Sequence, residues 1–496
     1  VLIIRIEWKI HRVEGETRRK VPKGPAYFSG CFSRFAMLTG LMKRRHNLQI
    51  RPILRSVGYS LCIASLVISA RSTFANDALP ESLIEESQSA DLSDQEACTS
   101  CEWSEPDFWT QTTLTENLFQ RRPCLAEQGI TFDADVAQFY MGVAAGGAEQ
   151  EFRYAGHGDY VMNIDSGKLG GPQGLFVKLR AEHRFGESIN SATGAIIPAN
   201  VLTDLPVADS DQLYLTNVLF TQMFSESFGV FAGKLDTLDG DMNAFAHGRG
   251  KTQFSNAAFV ATPIGLRTIV YSSLGTGFLI LRDGEPIFTF TVINSTDTSR
   301  TSGFEELFAN GASVIPELRL PTNLFGRPGH FLFGASWSSR DYAALEQDPF
   351  IVLPDIPIDR KTDSWSLYWN FDQYLFVDPC DPSRGWGVFG RAGIADADTN
   401  PIEWFLSFGV GGNSPISSRE ADTFGVGWYY SATSDRLAPF INNILGGVGD
   451  GYGVELFYNI EVTKWFHLTA DMQVLRPARQ TVDTALLVGL RAVIDL

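Results

Sequence analysis

The sequence lacks any long apolar run beyond its N-terminal region. After residue 75 no stretch approaches the roughly 18 apolar residues of a membrane-spanning helix, which excludes a helical-bundle membrane protein. Histidine is also scarce: the only ones after residue 75 are His157, His183, His247, His330 and His467, and none stands in a hydrolase motif. The sequence therefore gives no support to an enzyme, a metal site or a bound cofactor.

Basic residues are in short supply. The 496 residues include 40 Lys and Arg against 57 Asp and Glu, a net charge of −17. The first 75 residues hold 14 of the basic residues and 3 of the acidic ones, so the rest of the chain carries a net charge of −28. A surface this acidic argues against nucleic acid as a partner.

Cysteine is limited to six residues. Cys98, Cys101, Cys124 and Cys380 follow the N-terminal region, and four cysteines allow three pairings among which the sequence cannot choose. The spacing of Cys98 and Cys101 is also compatible with a redox pair or half a zinc site, but no second pair of this kind accompanies it. Structural disulfides in an exported protein are the favoured interpretation.

The N-terminal region has the residue order of a secretory signal. Basic residues from Lys43 to Arg55 precede an apolar stretch from Val57 to Ala70, and small residues follow up to Ala75. About 14 apolar residues are too few to span a membrane but suit the central part of a signal peptide. We expect residues 1–75 to be an upstream segment and signal peptide, and residues 76–129 to be an acidic lead-in that includes a short helix over 117–128.

The remainder alternates apolar and polar residues with the period of two of a strand with one wet face. Three such runs follow one another over residues 453–496 and predict an antiparallel meander. An earlier run over residues 175–185 has a fully charged face, which consists of Lys178, Arg180, Glu182 and Arg184. On a soluble sheet this would be an ordinary solvated face, whereas in a closed barrel it lines the lumen.

A membrane barrel explains both the alternation and the lack of a spanning helix. We therefore expect an all-β fold, a transmembrane antiparallel β-barrel over residues 130–496. About 20 to 25 residues per strand and connection give about 15 to 18 strands over this length. A barrel of that size encloses a water-filled channel.

Three segments carry a resemblance to a known family. They are residues 158–187, the stretch from Gly233-Lys234-Leu235-Asp236-Thr237 to Phe254, and residues 451–478. In this order they resemble the carbohydrate-selective porins of the OprB type, over about Leu118 to Leu496. The resemblance implies a sixteen-stranded barrel in the cell outer membrane, in which an inward loop and basic wall residues narrow a pore for the passive diffusion of sugars.

The constriction and its sugar contacts are expected on the early charged strand and on the stretch that would fold inward. The candidates are Lys178, Arg180, Glu182, Arg184, Asp236, Asp241, Arg249 and Lys251. Arg180 and Arg249 come first, because a guanidinium stays charged and donates several hydrogen bonds. Alternatively, several of these residues simply pair with one another in the lumen wall. His467 is expected to be a lumen residue rather than a metal ligand.

The expected partners are mono- and oligosaccharides and outer-membrane lipid, and assembly into a homo-oligomer is left open. Three alternative functions also stay open: a general non-selective porin, an outer-membrane barrel enzyme, and a structural or adhesive barrel plugged by its own lead-in. The sequence does not separate a sugar-selective pore from a general one, because both need a polar lumen.

Overall fold

A computed structural model describes residues 108–115, 122–240, 242–347, 359–437 and 446–496 of the chain. Within these ranges, sixteen antiparallel strands form one closed barrel. The expected fold class and the expected number of strands are therefore confirmed. The first barrel strand begins at Ile130 and the last ends at Asp495.

The strands are numbered in chain order. Those of the barrel are β1 (Ile130–Gly147), β2 (Phe152–Asp165), β3 (Leu175–Gly186), β4 (Tyr214–Ser225), β5 (Phe228–Asp236), β6 (Ser272–Arg282), β7 (Glu285–Asn294), β8 (Ala312–Leu324), β9 (Arg327–Ser338), β12 (Ser364–Val377), β13 (Gly385–Ala395), β14 (Ile402–Asn413), β15 (Thr423–Thr433), β16 (Gly451–Thr463), β17 (Phe466–Arg476) and β18 (Asp483–Asp495). β10 (Tyr342–Ala343) and β11 (Arg360–Lys361) form a separate two-stranded sheet.

The helices of the described ranges are short. The α-helices are α1 (Arg122–Glu127), α2 (Asn190–Thr193) and α3 (Ala257–Val260), and the 3₁₀ turns are Leu202–Asp204, Thr237–Asp239, Gly248–Gly250 and Pro263–Arg267. No helix in this part of the chain is both long enough and apolar enough to cross a membrane.

Pairing of the first and last strands closes the barrel. β1 pairs with β18 on one side, where Phe139 lies opposite Arg491, and with β2 on the other, where Phe139 lies opposite Ala155. The amide of Leu496 adds a hydrogen bond to the carbonyl of Ala134, at 2.8 Å. Because a closed barrel has no free strand edge, the strands satisfy their backbone groups within the sheet, as a hydrocarbon environment requires.

The predicted alternation of side chains is confirmed on the strands. On β16, Val454 and Leu456 are 38 and 42% exposed, whereas Glu455 between them is fully buried. On β3, Arg180 and Glu182 are likewise buried on the lumen side. Apolar residues face outward and charged residues face inward, which is the pattern of a barrel that crosses a bilayer.

Aromatic side chains lie on the outer surface near both rims. Near one rim, Trp404, Tyr430 and Tyr452 stack across adjacent strands, with successive ring centroids 4.8 and 6.5 Å apart. Near the other rim, Phe224 and Phe228 flank the turn between β4 and β5, with ring centroids 6.2 Å apart. Such rows are typical of the two membrane interfaces.

The two ends of the barrel differ in the length of their connections. At one end four turns have only two residues, and in the turn between β6 and β7 both residues, Asp283 and Gly284, have positive φ as a type I′ turn requires. At the other end the connections include residues 187–213, 237–271, 295–311 and 339–363. In outer-membrane barrels the short turns face the periplasm and the long loops face outward.

Two of the long connections fold into the barrel. They are the companion loop (residues 187–213) and the inward loop (residues 237–271), and both supply fully buried apolar side chains. Phe254 of the inward loop packs against Phe259, Phe389 and Phe457, with ring centroids 4.6, 5.3 and 4.9 Å away. Part of the lumen at this level is therefore filled by a packed aromatic core, which narrows the channel.

Several predictions about the N-terminal part concern residues outside the described ranges. The signal peptide, the lead-in over residues 76–107, Cys98 and Cys101 all lie there, so these interpretations and the disulfide pairing stay predictions. Helix α1 covers the second half of the segment predicted to be helical, and residues 116–121 are not described. Gly129 follows α1 with φ of +93°, a conformation that favours glycine after a helix.

Replacing Phe254 by Ala is expected to lower the free energy of unfolding by about 3 kcal/mol, because it leaves a cavity in a packed core. Phe408→Ala is the matched control, since Phe408 is 53% exposed on the outer surface. Unfolding in guanidinium, followed by tryptophan fluorescence in detergent micelles, measures both variants. An equal loss in the two would contradict the packed lumen core.

Candidate functional site

The inward loop crosses the lumen and is tied to the wall by two buried arginines. Arg391 of β13 donates to the carbonyls of Phe259 and Ala246, at 2.8 and 2.7 Å. Arg491 of β18 donates to the carbonyls of Gly250 and Gln253, at 2.8 and 2.6 Å. Each guanidinium replaces the water that the loop carbonyls would otherwise bind, so the loop has a defined position in the lumen.

A carboxylate of the wall holds the start of α3. The amides of Ser255 and Asn256 donate to Glu455 of β16, at 2.6 and 3.0 Å. The side chain of Asn256 caps α3 by accepting from the amide of Ala258, and it donates to Gln473 of β17 at 3.0 Å. These bonds lie on the side of the lumen formed by the last strands of the chain.

On the other side, the inward loop meets the charged face of β3. Nη1 of Arg180 lies 2.6 Å from Asp236 Oδ2 and 2.8 Å from Asp239 Oδ2, and its Nε lies 3.1 Å from Asp159 Oδ1. Asp159 comes from β2, Asp236 ends β5 and Asp239 belongs to the inward loop. Arg180 therefore joins three separate elements of the fold through ion pairs, and those with Asp236 and Asp239 are charge-assisted hydrogen bonds.

Arg249 is the matching cation on the inward loop. Nη2 lies 2.8 Å from Glu182 Oε1 and 3.0 Å from Asp236 Oδ2, and Nη1 bonds to Asp239. Its φ of +48°, between Gly248 and Gly250 at +53 and +76°, is costly for a residue with a side chain. The carboxylates around the guanidinium offset that cost and keep the turn in this conformation.

Two lysines extend the cluster toward the short-turn end. Nζ of Lys178 lies 2.6 Å from Asp239 Oδ2. Nζ of Lys251 lies 2.6 Å from Asp135 Oδ2 and 2.9 Å from Asp159 Oδ2. Four cations thus alternate in space with carboxylates from β1, β2, β3, β5 and the inward loop. We call this set the charged constriction; its members are Asp135, Asp159, Lys178, Arg180, Glu182, Asp236, Asp239, Arg249 and Lys251.

Two hydroxyl groups hold Glu182 in place within the charged constriction. The hydroxyl of Tyr271 donates to Glu182 Oε2 at 2.7 Å, and the hydroxyl of Thr216 donates to the same oxygen. His157 lies beside it, with Nε2 3.5 Å from Glu182 Oε1. A fully buried carboxylate needs such partners, because its desolvation is costly when it is unpaired.

Asp239 stays ionised over a wide pH range. Burial by itself would raise the pKa of this carboxyl, but the cations of Arg249, Arg180 and Lys178 hold it well below its usual range. With a lowered folded-state pKa, the ion pairs of Asp239 are complete at neutral pH and are lost only as pH falls through that lowered value. The loop contact is therefore expected to persist in mildly acidic solution.

A cavity of about 300 Å³ opens beside the charged constriction. Its lining combines both signs of charge, one amide and one apolar side chain: Asp133, Asp135, Asp159, Val161, Asn163, Lys178, Arg180, Arg249 and Lys251. Asp133, Asn163 and Lys178 lie near the short turns, so the cavity leads from the constriction toward that end. No cluster of three or more His, Cys, Asp or Glu in the described ranges is arranged to hold a metal ion.

Comparison with known proteins identifies the family. The family model described as 'Carbohydrate-selective porin, OprB family' matches residues 149–496, which is more than half of the chain. The chain belongs to this family. It is thus an outer-membrane porin through which sugars diffuse. No curated protein sequence matches it.

One solved structure shows the same fold, and two others are less similar. The high-pH structure of OprB from Pseudomonas putida is 19% identical, with a TM-score of 0.68, over 79% of this chain and 100% of that one. The low-pH structure of the same protein is 14% identical, with a TM-score of 0.49, over 78 and 99% of the two chains. The outer-membrane expressed OmpT of Vibrio cholerae is 12% identical, with a TM-score of 0.44, over 74 and 97%.

The structure of this porin brings together six of the eight residues predicted from sequence. Lys178, Arg180, Glu182, Asp236, Arg249 and Lys251 all belong to the charged constriction. Arg184 faces the lumen as well, but it donates to the carbonyl of Ala208 in the companion loop at 2.8 Å and not to the constriction. Asp241 lies outside the described residues. His467 faces the lumen, where Nδ1 lies 3.2 Å from Asn459 Oδ1.

Sequence reasoning missed three of the five carboxylates in the charged constriction. Asp135 and Asp159 lie on the inward face of β1 and β2, and Asp239 lies three residues after the predicted Asp236. A period-two pattern in residues 131–137 and 157–163 was the available signal, but it did not show which strands lie next to the inward loop. The predicted alternative, pairing of the charged residues with one another, is what the geometry shows.

Replacing Arg249 by Gln is expected to release the inward loop, because it removes one cation from among four carboxylates. Breaking a buried ion cluster in this way costs about 3 kcal/mol, which raises the population of the open loop about 100-fold. Trypsin cleavage after Lys251, identified by fragment mass, measures that population. Arg282→Gln is the control, since Arg282 is 72% exposed. If both variants resist trypsin alike, Arg249 does not hold the loop.

Proposed function

We propose that the charged constriction is the sugar contact of this porin. The inward loop narrows the lumen, and hydrogen-bond donors and acceptors line the cavity beside the loop. A sugar hydroxyl both donates and accepts hydrogen bonds, so a wall of alternating cations and carboxylates suits it better than a wall of one sign. The alternation of Lys178, Arg180, Arg249 and Lys251 with carboxylates carries this proposal.

The same pairing supports weak binding. Arg180 and Arg249 already bind carboxylates, so a sugar competes with existing ion pairs and gains less than it would from free cations. Lys178 is the most accessible cation of the set, with 31% of its side chain exposed and Asp239 as its ion-pair partner. A diffusion pore needs this compromise, because a solute that binds tightly does not leave.

The remaining expectations for the protein follow from the family and the outer surface. We propose that it acts as a passive channel rather than as a barrel enzyme, and that mono- and oligosaccharides are its solutes. Its exposed apolar side chains, such as Leu367 and Leu456, are proposed to contact membrane lipid. Assembly into a homo-oligomer stays a prediction.

Single-channel conductance in a planar bilayer tests the sugar contact. Glucose and maltose are expected to reduce the current in a saturable manner, whereas polyethylene glycol of similar size is expected to reduce it without saturation. Lys178→Gln and Arg180→Gln should each raise the half-blocking sugar concentration about threefold to tenfold, because each removes one charge-assisted hydrogen bond. Arg282→Gln should leave it unchanged.

Two results would contradict the proposal. Equal reduction by sugars and polyethylene glycol, with no effect of the two substitutions, would leave a general porin. Absence of any conductance would favour a structural barrel. Hydrolysis of added lipid or peptide by intact vesicles would contradict the passive role.

A further inference from the structure

A second set of cations lies at the long-loop end of the channel. Arg267 ends the 3₁₀ turn Pro263–Arg267 of the inward loop, and Arg340 lies two residues after the end of β9. Their guanidinium carbons lie 5.0 and 5.8 Å from the ring centre of Tyr342 in β10, and Tyr342 itself is 4% exposed. We call this set the outer arginine site; it consists of Arg267, Arg340 and Tyr342.

The outer arginine site has a rigid support. The hydroxyl of Tyr342 lies 3.3 Å from the carbonyl of Arg267, and Nη1 of Arg340 donates to the carbonyl of Ser295 at 3.2 Å. The hydroxyl of Ser313 in β8 donates to the carbonyl of Thr268 at 2.6 Å, which ties the adjacent part of the inward loop to the wall. Both cations are therefore held near one ring, with the favourable cation–π contact that an electron-rich ring provides.

What distinguishes this site is the lack of counter-charge. Within the described residues no carboxylate forms an ion pair with Arg267 or Arg340, whereas each cation of the charged constriction has at least one. The Nε of Arg267 is buried and has no hydrogen-bond partner in the same part of the chain. Two other cations at this end do have carboxylate partners, Arg300 with Asp209 and Lys361 with Asp396.

The electrostatic surroundings of Arg267 agree with this geometry. Burial lowers the pKa of its guanidinium, the Tyr342 ring opposes that effect, and the neighbouring Arg340 cation lowers it further. Two like charges held together without an anion are unfavourable, and a bound anion would relieve that repulsion. In a protein whose overall charge is negative, such a pair is a local exception.

We propose that the outer arginine site binds the anionic group of an acidic sugar, one that carries a carboxylate or a phosphate, before it reaches the charged constriction. The planar fork of a guanidinium matches both groups with two parallel hydrogen bonds. Arg267 belongs to the inward loop, so a solute bound there stands above the narrow part of the channel. This inference rests on the proposed diffusion of sugars through the channel and names a further class of solute.

Conductance block by glucuronate, glucose 6-phosphate, glucose and inorganic phosphate, compared in the wild-type channel, tests the proposal. Block by the two acidic sugars should occur at concentrations about threefold to tenfold lower than block by glucose. Arg267→Gln and Arg340→Gln should each abolish that difference and leave glucose block unchanged. Arg267→Lys should restore part of it, because the charge returns without the fork.

Arg300→Gln provides the matched control, since it removes the same charge at the same end from a residue that is 55% exposed and outside the site. It should leave the preference for acidic sugars intact. If Arg300→Gln lowers that preference as much as Arg267→Gln does, the effect is one of net charge and the site is refuted. If inorganic phosphate blocks as well as glucose 6-phosphate, the assignment to an acidic sugar is refuted.

Block by glucose distinguishes a failure of the proposed function from a failure of the outer arginine site. Loss of saturable glucose block in the wild type would contradict the charged constriction as a sugar contact. Normal glucose block, with glucuronate block equal in the wild type and Arg267→Gln, would contradict the outer arginine site alone. Calorimetric titration of the purified protein in micelles with glucuronate tests the site even if no current is recorded, and absence of heat in the wild type would overturn it.

Discussion

The pairing of β1 with β18 is the contact on which the rest of this structure depends. A strand in a lipid environment must find partners for all of its backbone groups, and only a closed sheet provides them. Closure fixes which face of each strand is the lumen, so one register error in β1 would turn its apolar residues inward. It also creates a sixteen-stranded interior that is too wide for side chains alone to fill.

The interior is filled by loops, and buried arginines hold them. The inward loop presents carbonyl groups to Arg391 and Arg491 and aromatic rings to Phe389 and Phe457. This combination divides the cross-section of the lumen into a packed part and a polar part. The packed part includes side chains of β1, β9 and β12 to β18. The polar part lies against the inward carboxylates and cations of β1, β2, β3 and β5, where the charged constriction is found.

In the polar part, the ion pairs hold the inward loop and the neighbouring strands in fixed positions. Arg180 and Arg249 each join carboxylates that belong to different elements, and the shared Asp236 and Asp239 link the two guanidinium groups. A solute therefore meets a wall whose charges are already compensated, which suits a pore for neutral molecules. The outer arginine site differs because its two cations have only an aromatic ring between them.

The sequence by itself determined the barrel, its outward apolar faces and the charged face of β3. A period of two is a local pattern, so the shared face of Lys178, Arg180 and Glu182 follows from neighbouring residues alone. Family resemblance added the inward loop and its basic residues. Only the tertiary structure decided which charges meet, since Arg249 reaches Glu182 across 67 residues, Lys251 reaches Asp159 across 92 and Arg491 reaches Gly250 across 241. Such contacts depend on barrel closure and on the path of the loop through the lumen, and no local pattern records either one.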